Sequence, residues 1–74
     1  MVNSQRLKER AKELGLRQTD LAIALGIKQP TVNQKIHNVR PMLLREAEIL
    51  AEILKIENAE FADYFLPMLS GKGG

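Results

Sequence analysis

The segment over residues 18–36 constrains the fold of this chain more than any other part of the sequence. It reads QTDLAIALGIKQPTVNQKI, with apolar residues at helical spacing on both sides of Gly26. A glycine at that point supplies the positive φ that a tight turn between two helices requires. Pro30 suits the first turn of a helix, where a missing N–H costs no hydrogen bond. The segment therefore predicts two short helices, over residues 18–25 and 29–37, joined by a tight turn.

Helical patterns also fill the rest of the chain, and residues that favour strands are few and scattered. A first helix is predicted over residues 4–14. The most apolar stretch predicts a fourth helix over 43–54, with an apolar face wide enough for burial on more than one side. A fifth helix begins near Asn58 and is expected to stop at Pro67. The sequence thus predicts an all-α fold with five helices.

Length and composition limit the chemistry of the chain. Its 74 residues fit one domain, predicted over residues 1–69, and the glycine-rich stretch 70–74 is expected to be a flexible tail or linker stub. The absence of cysteine excludes disulfides and thiolate metal sites. Because no apolar run is long enough to span a bilayer and no signal peptide follows Met1, we expect a cytoplasmic protein without membrane contact.

Charge is distributed unevenly between the two halves of the chain. Residues 1–40 carry eight lysines and arginines against three acidic residues, a net charge of +5. Residues 41–74 carry three basic and six acidic residues, a net charge of −3. The basic half contains the two short helices, which favours a polyanionic partner for that part of the surface. The alternative is an ordinary solvated surface of mixed charge.

Three positions in the segment satisfy the demands of a helix-turn-helix, in which one helix crosses the DNA backbone and the next enters the major groove. Ala22 is small where the two helices cross closely. Gly26 permits the turn, and Val32 is apolar and anchors the second helix to the core. Any one of these residues alone carries no information, but their spacing together predicts the motif. The alternative is a plain helical bundle in which the same residues only pack.

The stretch LGLRQTDLAIALGIKQPTVNQ, with its flanking helices, resembles the DNA-binding domains of lambdoid phage repressors and Cro proteins, a group that includes many bacterial regulators. The resemblance extends from about Arg6 to Phe65 and implies a five-helix, phage repressor-like domain. The family often opens its second and third helices with glutamines, which match Gln18 and Gln29 here. In the family the first glutamine contacts a phosphate and braces the second. The second reads adenine, whose N6 and N7 suit a group that both donates and accepts.

The resemblance also implies which other residues contact DNA. Base edges are expected to meet Gln29, Pro30, Asn33 and Gln34, and phosphates to meet Arg17, Gln18, Lys28, Thr31, Asn38 and Arg40. Phosphate contacts fix the register on the duplex but carry little sequence information. The chain departs from the family pattern at Lys28, where a Ser or Thr cap is usual, and at Pro30, which offers only apolar contact. These departures leave the operator sequence open.

No pattern in the sequence indicates catalysis or a bound cofactor. His37 is the only histidine and has no nucleophile or metal-ligand partner nearby in sequence. A role as the C-terminal cap of the third helix, or as a phosphate contact, fits it better. The acidic residues of the second half lack the spacing of paired catalytic carboxylates or of a calcium loop, and Gly71–Gly74 does not form a phosphate loop. We therefore expect no enzyme activity, no metal, no cofactor and no small-molecule ligand.

The C-terminal part of the chain has more apolar residues than one short helix can bury. They are Phe61, Tyr64, Phe65, Leu66, Met68 and Leu69. In the family the last helix often meets its twin across a two-fold axis, so these residues are expected to form a homodimer contact that serves a pseudo-palindromic operator. The alternatives are that they close the core of one copy or contact a domain outside this chain.

These observations together favour a transcriptional regulator, repressor-like, that binds double-stranded DNA through its third helix. The cell would be a bacterium or a phage-infected host. An antitoxin of a toxin–antitoxin pair, with the same motif and an apolar face for its toxin, is the first alternative, and a copurifying toxin would favour it. A protein–protein adaptor of the same shape, which never binds DNA, is the second.

Overall fold

Within residues 1–69 the chain folds into five helices. The computed structural model describes the backbone of residues 1–69 and the side chains of residues 1–65. The helices are α1 (Ser4–Glu13), α2 (Gln18–Leu25), α3 (Gln29–Ile36), α4 (Leu44–Ile53) and α5 (Asn58–Leu69). No strand occurs among the described residues, so the prediction of an all-α fold with five helices is confirmed. The predicted tail 70–74 lies outside the described residues.

The helix ends follow from local chemistry. The Asn3 side chain accepts the Arg6 N–H at 3.2 Å and caps the start of α1. At the start of α2, the Asp20 carboxylate accepts the Arg17 N–H at 2.8 Å, which also places a negative charge at the positive end of the helix. Gly26 has φ +69° and ends α2 in the left-handed conformation, as its sequence position predicts.

The apolar face of α4 is narrower than the sequence predicted. Leu43 and Leu44 are 51% and 48% exposed. Only one face of α4, which includes Ala47 and Leu50, lies in the core. The Glu46 carboxylate accepts the Leu43 N–H at 2.9 Å, which fixes Leu43 just before the helix. Because that bond sets the rotation of the first turn, the two leucines face outward. The expectation that α4 is buried on more than one side is wrong.

Helix α5 does not stop at Pro67 but continues through it to Leu69. A proline inside a helix forfeits the hydrogen bond to the carbonyl four residues earlier. Here that carbonyl belongs to Asp63, which is exposed, so water can bind the oxygen that the helix leaves unpaired. The cost of the proline is therefore lower at this position than in a buried helix.

One core joins all five helices. Its fully buried large side chains are Leu7, Val32, Ile36, Leu50, Leu54 and Phe65. Helix α2 packs against α3 and α4, and α1 packs against α5. Ala22 is buried, as expected of a small residue where α2 meets its neighbours. This packing holds α3 by one face only.

Two residues assigned to a dimer contact lie inside the protomer instead. Phe65 is completely buried and Tyr64 nearly so. The rings of Phe61 and Phe65 pack with centroids 4.8 Å apart, and the Asn3 N–H donates to the Tyr64 carbonyl at 2.9 Å. Tyr64 and Phe65 therefore close the core of one copy, which corrects their assignment to the dimer contact. The side chains of Leu66, Met68 and Leu69 lie outside the described residues.

A largely buried ion pair ties α3 to α4. Lys35 Nζ lies 2.9 Å from Glu46 Oε1 and 3.1 Å from the Pro41 carbonyl oxygen. Burial raises the pKa of the Glu46 carboxyl, but the hydrogen bond from the Leu43 N–H and the Lys35 ammonium outweigh it, so the net shift is downward from 4.5. The ionised carboxylate is thus the form that the fold stabilises.

This shift predicts how stability depends on pH. A carboxyl whose pKa is lower in the folded than in the unfolded chain stabilises the fold above its unfolded pKa, and that contribution is lost as the pH falls through the folded value. We expect the free energy of unfolding to drop below about pH 4.5. Glu46→Gln should reduce this pH dependence and cost about 1–2 kcal/mol at neutral pH, because it weakens the bond to Lys35. Urea titrations at several pH values measure both effects, with the exposed Glu52→Gln as the control. Equal pH dependence in the two variants would contradict the role of Glu46.

Candidate nucleic-acid interface

Helix α3 has one buried face and one exposed polar face. Val32 and Ile36, four residues apart, are buried and anchor the helix to the core. Gln29, Pro30 and Asn33 are all exposed. Apolar anchors at that spacing fix the rotation of the helix about its axis, so the same polar residues always face outward. The sequence-predicted base-contacting residues at these three positions are therefore accessible.

Helix α2 contributes a side chain to the same surface. Gln18 Nε2 donates to Asn33 Oδ1 at 3.2 Å, and a shallow depression is lined by Gln18, Gln29, Pro30 and Asn33. The expectation from the resemblance was that Gln18 braces Gln29, but in this structure it bonds to Asn33. Asn33 is one helical turn beyond Gln29. Gln29 is left exposed at the first turn of α3.

Asn38 does not have the role that the sequence assigned to it. It adopts φ +63°, the left-handed conformation in which glycine or asparagine commonly ends a helix. Its Oδ1 accepts the Val2 N–H at 2.7 Å, and its Nδ2 donates to the Val2 carbonyl at 3.0 Å. Because both ends of the amide are occupied within the protein, we correct the assignment of Asn38 as a phosphate contact. The side chain instead holds the N-terminal segment against the end of α3.

Arg40 contacts the end of α3. Its Nε lies 2.5 Å from Gln34 Oε1, and Gln34 is half-buried. The sequence assigned Gln34 to bases and Arg40 to phosphates but did not predict that they meet. The signal available in the sequence was Asn38, since a left-handed residue after a helix turns the chain back toward the last turn.

The remaining predicted phosphate contacts lie at the edges of α2 and α3. Arg17 precedes α2, Lys28 precedes α3, and both are exposed, as is Arg40. The ion pairs among the described side chains involve none of these three. Thr31 is half-buried in the first turn of α3. Exposed cations without carboxylate partners keep their charge available to an approaching anion.

His37 is the C-terminal cap residue of α3, which confirms one of its two predicted roles. Its Nδ1 lies 2.8 Å from the Asn33 carbonyl oxygen, and its Nε2 lies 3.5 Å from Lys8 Nζ. Among the described residues, no group of three or more histidine, aspartate or glutamate side chains is placed to hold a metal ion. Within the same part of the chain, every helix is too short or too polar to cross a bilayer.

Comparisons with protein-family models, with curated proteins and with solved structures gave no match to this chain.

Proposed function

We propose that this protein is a sequence-specific regulator of transcription that binds double-stranded DNA, with α2 and α3 acting as a helix-turn-helix. One observation carries the proposal: α3 is held to the core by Val32 and Ile36 while its polar face stays exposed beside Gln18. A helix held in this way can enter the major groove without losing contacts to its own domain. As part of the same proposal, the protein acts on DNA in the cytoplasm.

In this mechanism α3 reads base edges near its amino end. Gln29 is free to donate and accept together, which suits the N6 and N7 groups of adenine. Pro30 has no polar group on its ring, so its contact is apolar and fits a thymine methyl group. The bond from Gln18 holds Asn33 in place before DNA arrives, which reduces the entropy lost on binding.

Phosphate binding supplies most of the affinity in this proposal. Arg17 and Lys28 stand at the amino ends of the two helices. At the start of α3, where the first turn has no acidic residue, the backbone N–H groups and the helix dipole also favour an anion. Arg40 stands beyond the other end of α3. Cations at both ends of the helix would fix its register along the groove.

A homodimer on a two-fold operator remains part of the proposal. With Tyr64 and Phe65 buried in the protomer, the contact would use the partly exposed Phe61 rather than those two rings. Two copies would then place two α3 helices in successive faces of the major groove.

The test of the proposed function is a selection of bound sites from random duplex DNA, followed by binding measurements on the selected site. We expect Gln29→Ala to reduce the discrimination between selected and random DNA by about 10- to 100-fold, because a bidentate base contact is lost. Gln5→Ala removes an exposed glutamine of α1 and is the matched control, with no expected change. Full discrimination by Gln29→Ala would refute the assigned role of Gln29.

A further inference from the structure

Gln34 and Arg40 meet at the carboxyl end of α3 because the chain turns back on itself there. After Asn38, the N–H groups of Val39 and Arg40 both donate to the Gln34 backbone carbonyl, at 2.8 and 3.2 Å. This turn brings Arg40 Nε to 2.5 Å from Gln34 Oε1. The backbone path therefore places the two side chains within reach of each other.

The chemistry of the pair fixes the orientation of the Gln34 amide. A guanidinium group has five N–H donors and no acceptor, so Arg40 can bind only the oxygen of that amide. The NH₂ group of Gln34 then carries two N–H donors for any other partner. The charge of Arg40 beside it also attracts electronegative atoms and disfavours the amino groups of bases.

We propose that Arg40 is a positioning residue that restricts Gln34 to donating, so that Gln34 selects guanine in the major groove. This inference rests on the proposed function. Guanine presents two acceptors there, N7 and O6, which match the two N–H donors. Bidentate recognition of adenine requires the amide oxygen to accept from N6. In this chain Arg40 Nε takes one of the two lone pairs of that oxygen, and the positive guanidinium beside it opposes the approach of an amino group to the other.

Arg40 has a second function in this arrangement. Its Nε is used by Gln34, and the exposed guanidinium keeps four further N–H donors, which suit a phosphate. One side chain thus links a base-reading residue to the DNA backbone. A cation at residue 40 would thus both orient Gln34 and bind a phosphate.

The experiment is a selection from random duplex DNA with the wild type, Arg40→Met and Gln34→Glu. The operator position read by Gln34 is the one whose preference changes in Gln34→Glu. There the wild type should select guanine, and Arg40→Met should lose about tenfold of the guanine preference over adenine, since the freed amide can read either base. Gln34→Glu should select cytosine, because a carboxylate bound to Arg40 offers only an acceptor, and cytosine N4 donates.

Arg17→Met is the matched control, since it removes an exposed cation that makes no hydrogen bond to a side chain of α3. It should lower affinity and leave the base preference unchanged. Adenine or cytosine selected by the wild type at the Gln34 position, or an unchanged guanine preference in Arg40→Met, would overturn the inference while the proposed function stands. Failure of the wild type to enrich any site would overturn both.

Discussion

The affinity for duplex DNA should fall about a thousandfold when the salt concentration rises from about 50 to about 200 mM, if two copies bind together. Three exposed cations, Arg17, Lys28 and Arg40, flank α2 and α3 in each copy. Each neutralised phosphate releases counterions and contributes about −0.9 to the slope of log affinity against log salt. Two copies therefore give a slope near −5, whereas a single copy gives a slope near −3 and a loss of about fortyfold.

Fluorescence anisotropy of a labelled duplex across a salt series measures this slope. Lys28→Gln should make the slope less steep by about one for each bound copy, because one phosphate contact is lost. Lys55→Gln is the matched control: Lys55 is exposed but lies in the turn after α4, away from α2 and α3 in the chain. Binding without salt dependence, or no binding to duplex DNA, would favour the protein–protein adaptor over a regulator.

The features that the sequence predicts best are those that depend on residues close together in the chain. The bounds of α2 were predicted to the residue, because Gly26 must end that helix. Val32, predicted to anchor the helix to the core, is buried. These features determine which face of α3 is exposed, so most of the candidate site was available from the sequence.

The sequence could not reveal which polar side chains meet across the fold. The resemblance implies a phosphate contact at Asn38, but the Asn38 side chain binds Val2, thirty-six positions away in the chain. Gln18 bonds to Asn33 rather than to Gln29 because the packing of α2 on α3 decides which side chain lies within reach. Short polar side chains have several possible partners, and only the assembled core selects among them.

The aromatic residues near the C-terminus are a second case in which the sequence does not reveal the partners of a side chain. An apolar face on a short helix indicates burial, but it does not say whether the burial is within one copy or between two. The turn at Lys55, which adopts φ +55°, directs α5 back toward α1 and brings Phe65 into the core. Non-glycine residues take that conformation rarely, and nothing in the sequence around Lys55 predicts it.

Phe65→Ala should destabilise the fold by about 3–5 kcal/mol, the largest loss of stability we expect from any single substitution here. Phe65 is fully buried, and its ring packs against Phe61 and, at a centroid distance of 6.2 Å, against Tyr64. A domain of this size is stable by only about 4–11 kcal/mol, so the variant would keep little of it. Thermal unfolding followed by circular dichroism should show a melting temperature lower by about 15–30 °C.

The concentration dependence of this loss separates a core role from a dimer role. If Phe65 packs within one copy, the unfolding that its truncation favours is unimolecular. The loss of stability in Phe65→Ala should then be the same at low and high protein concentration. Ile23→Ala is the control, because Ile23 is 79% exposed and its truncation removes little buried area. If Phe65→Ala instead kept the wild-type melting temperature and only weakened self-association in sedimentation, Phe65 would belong to an interface between copies, and the packing of α5 against α1 would be wrong.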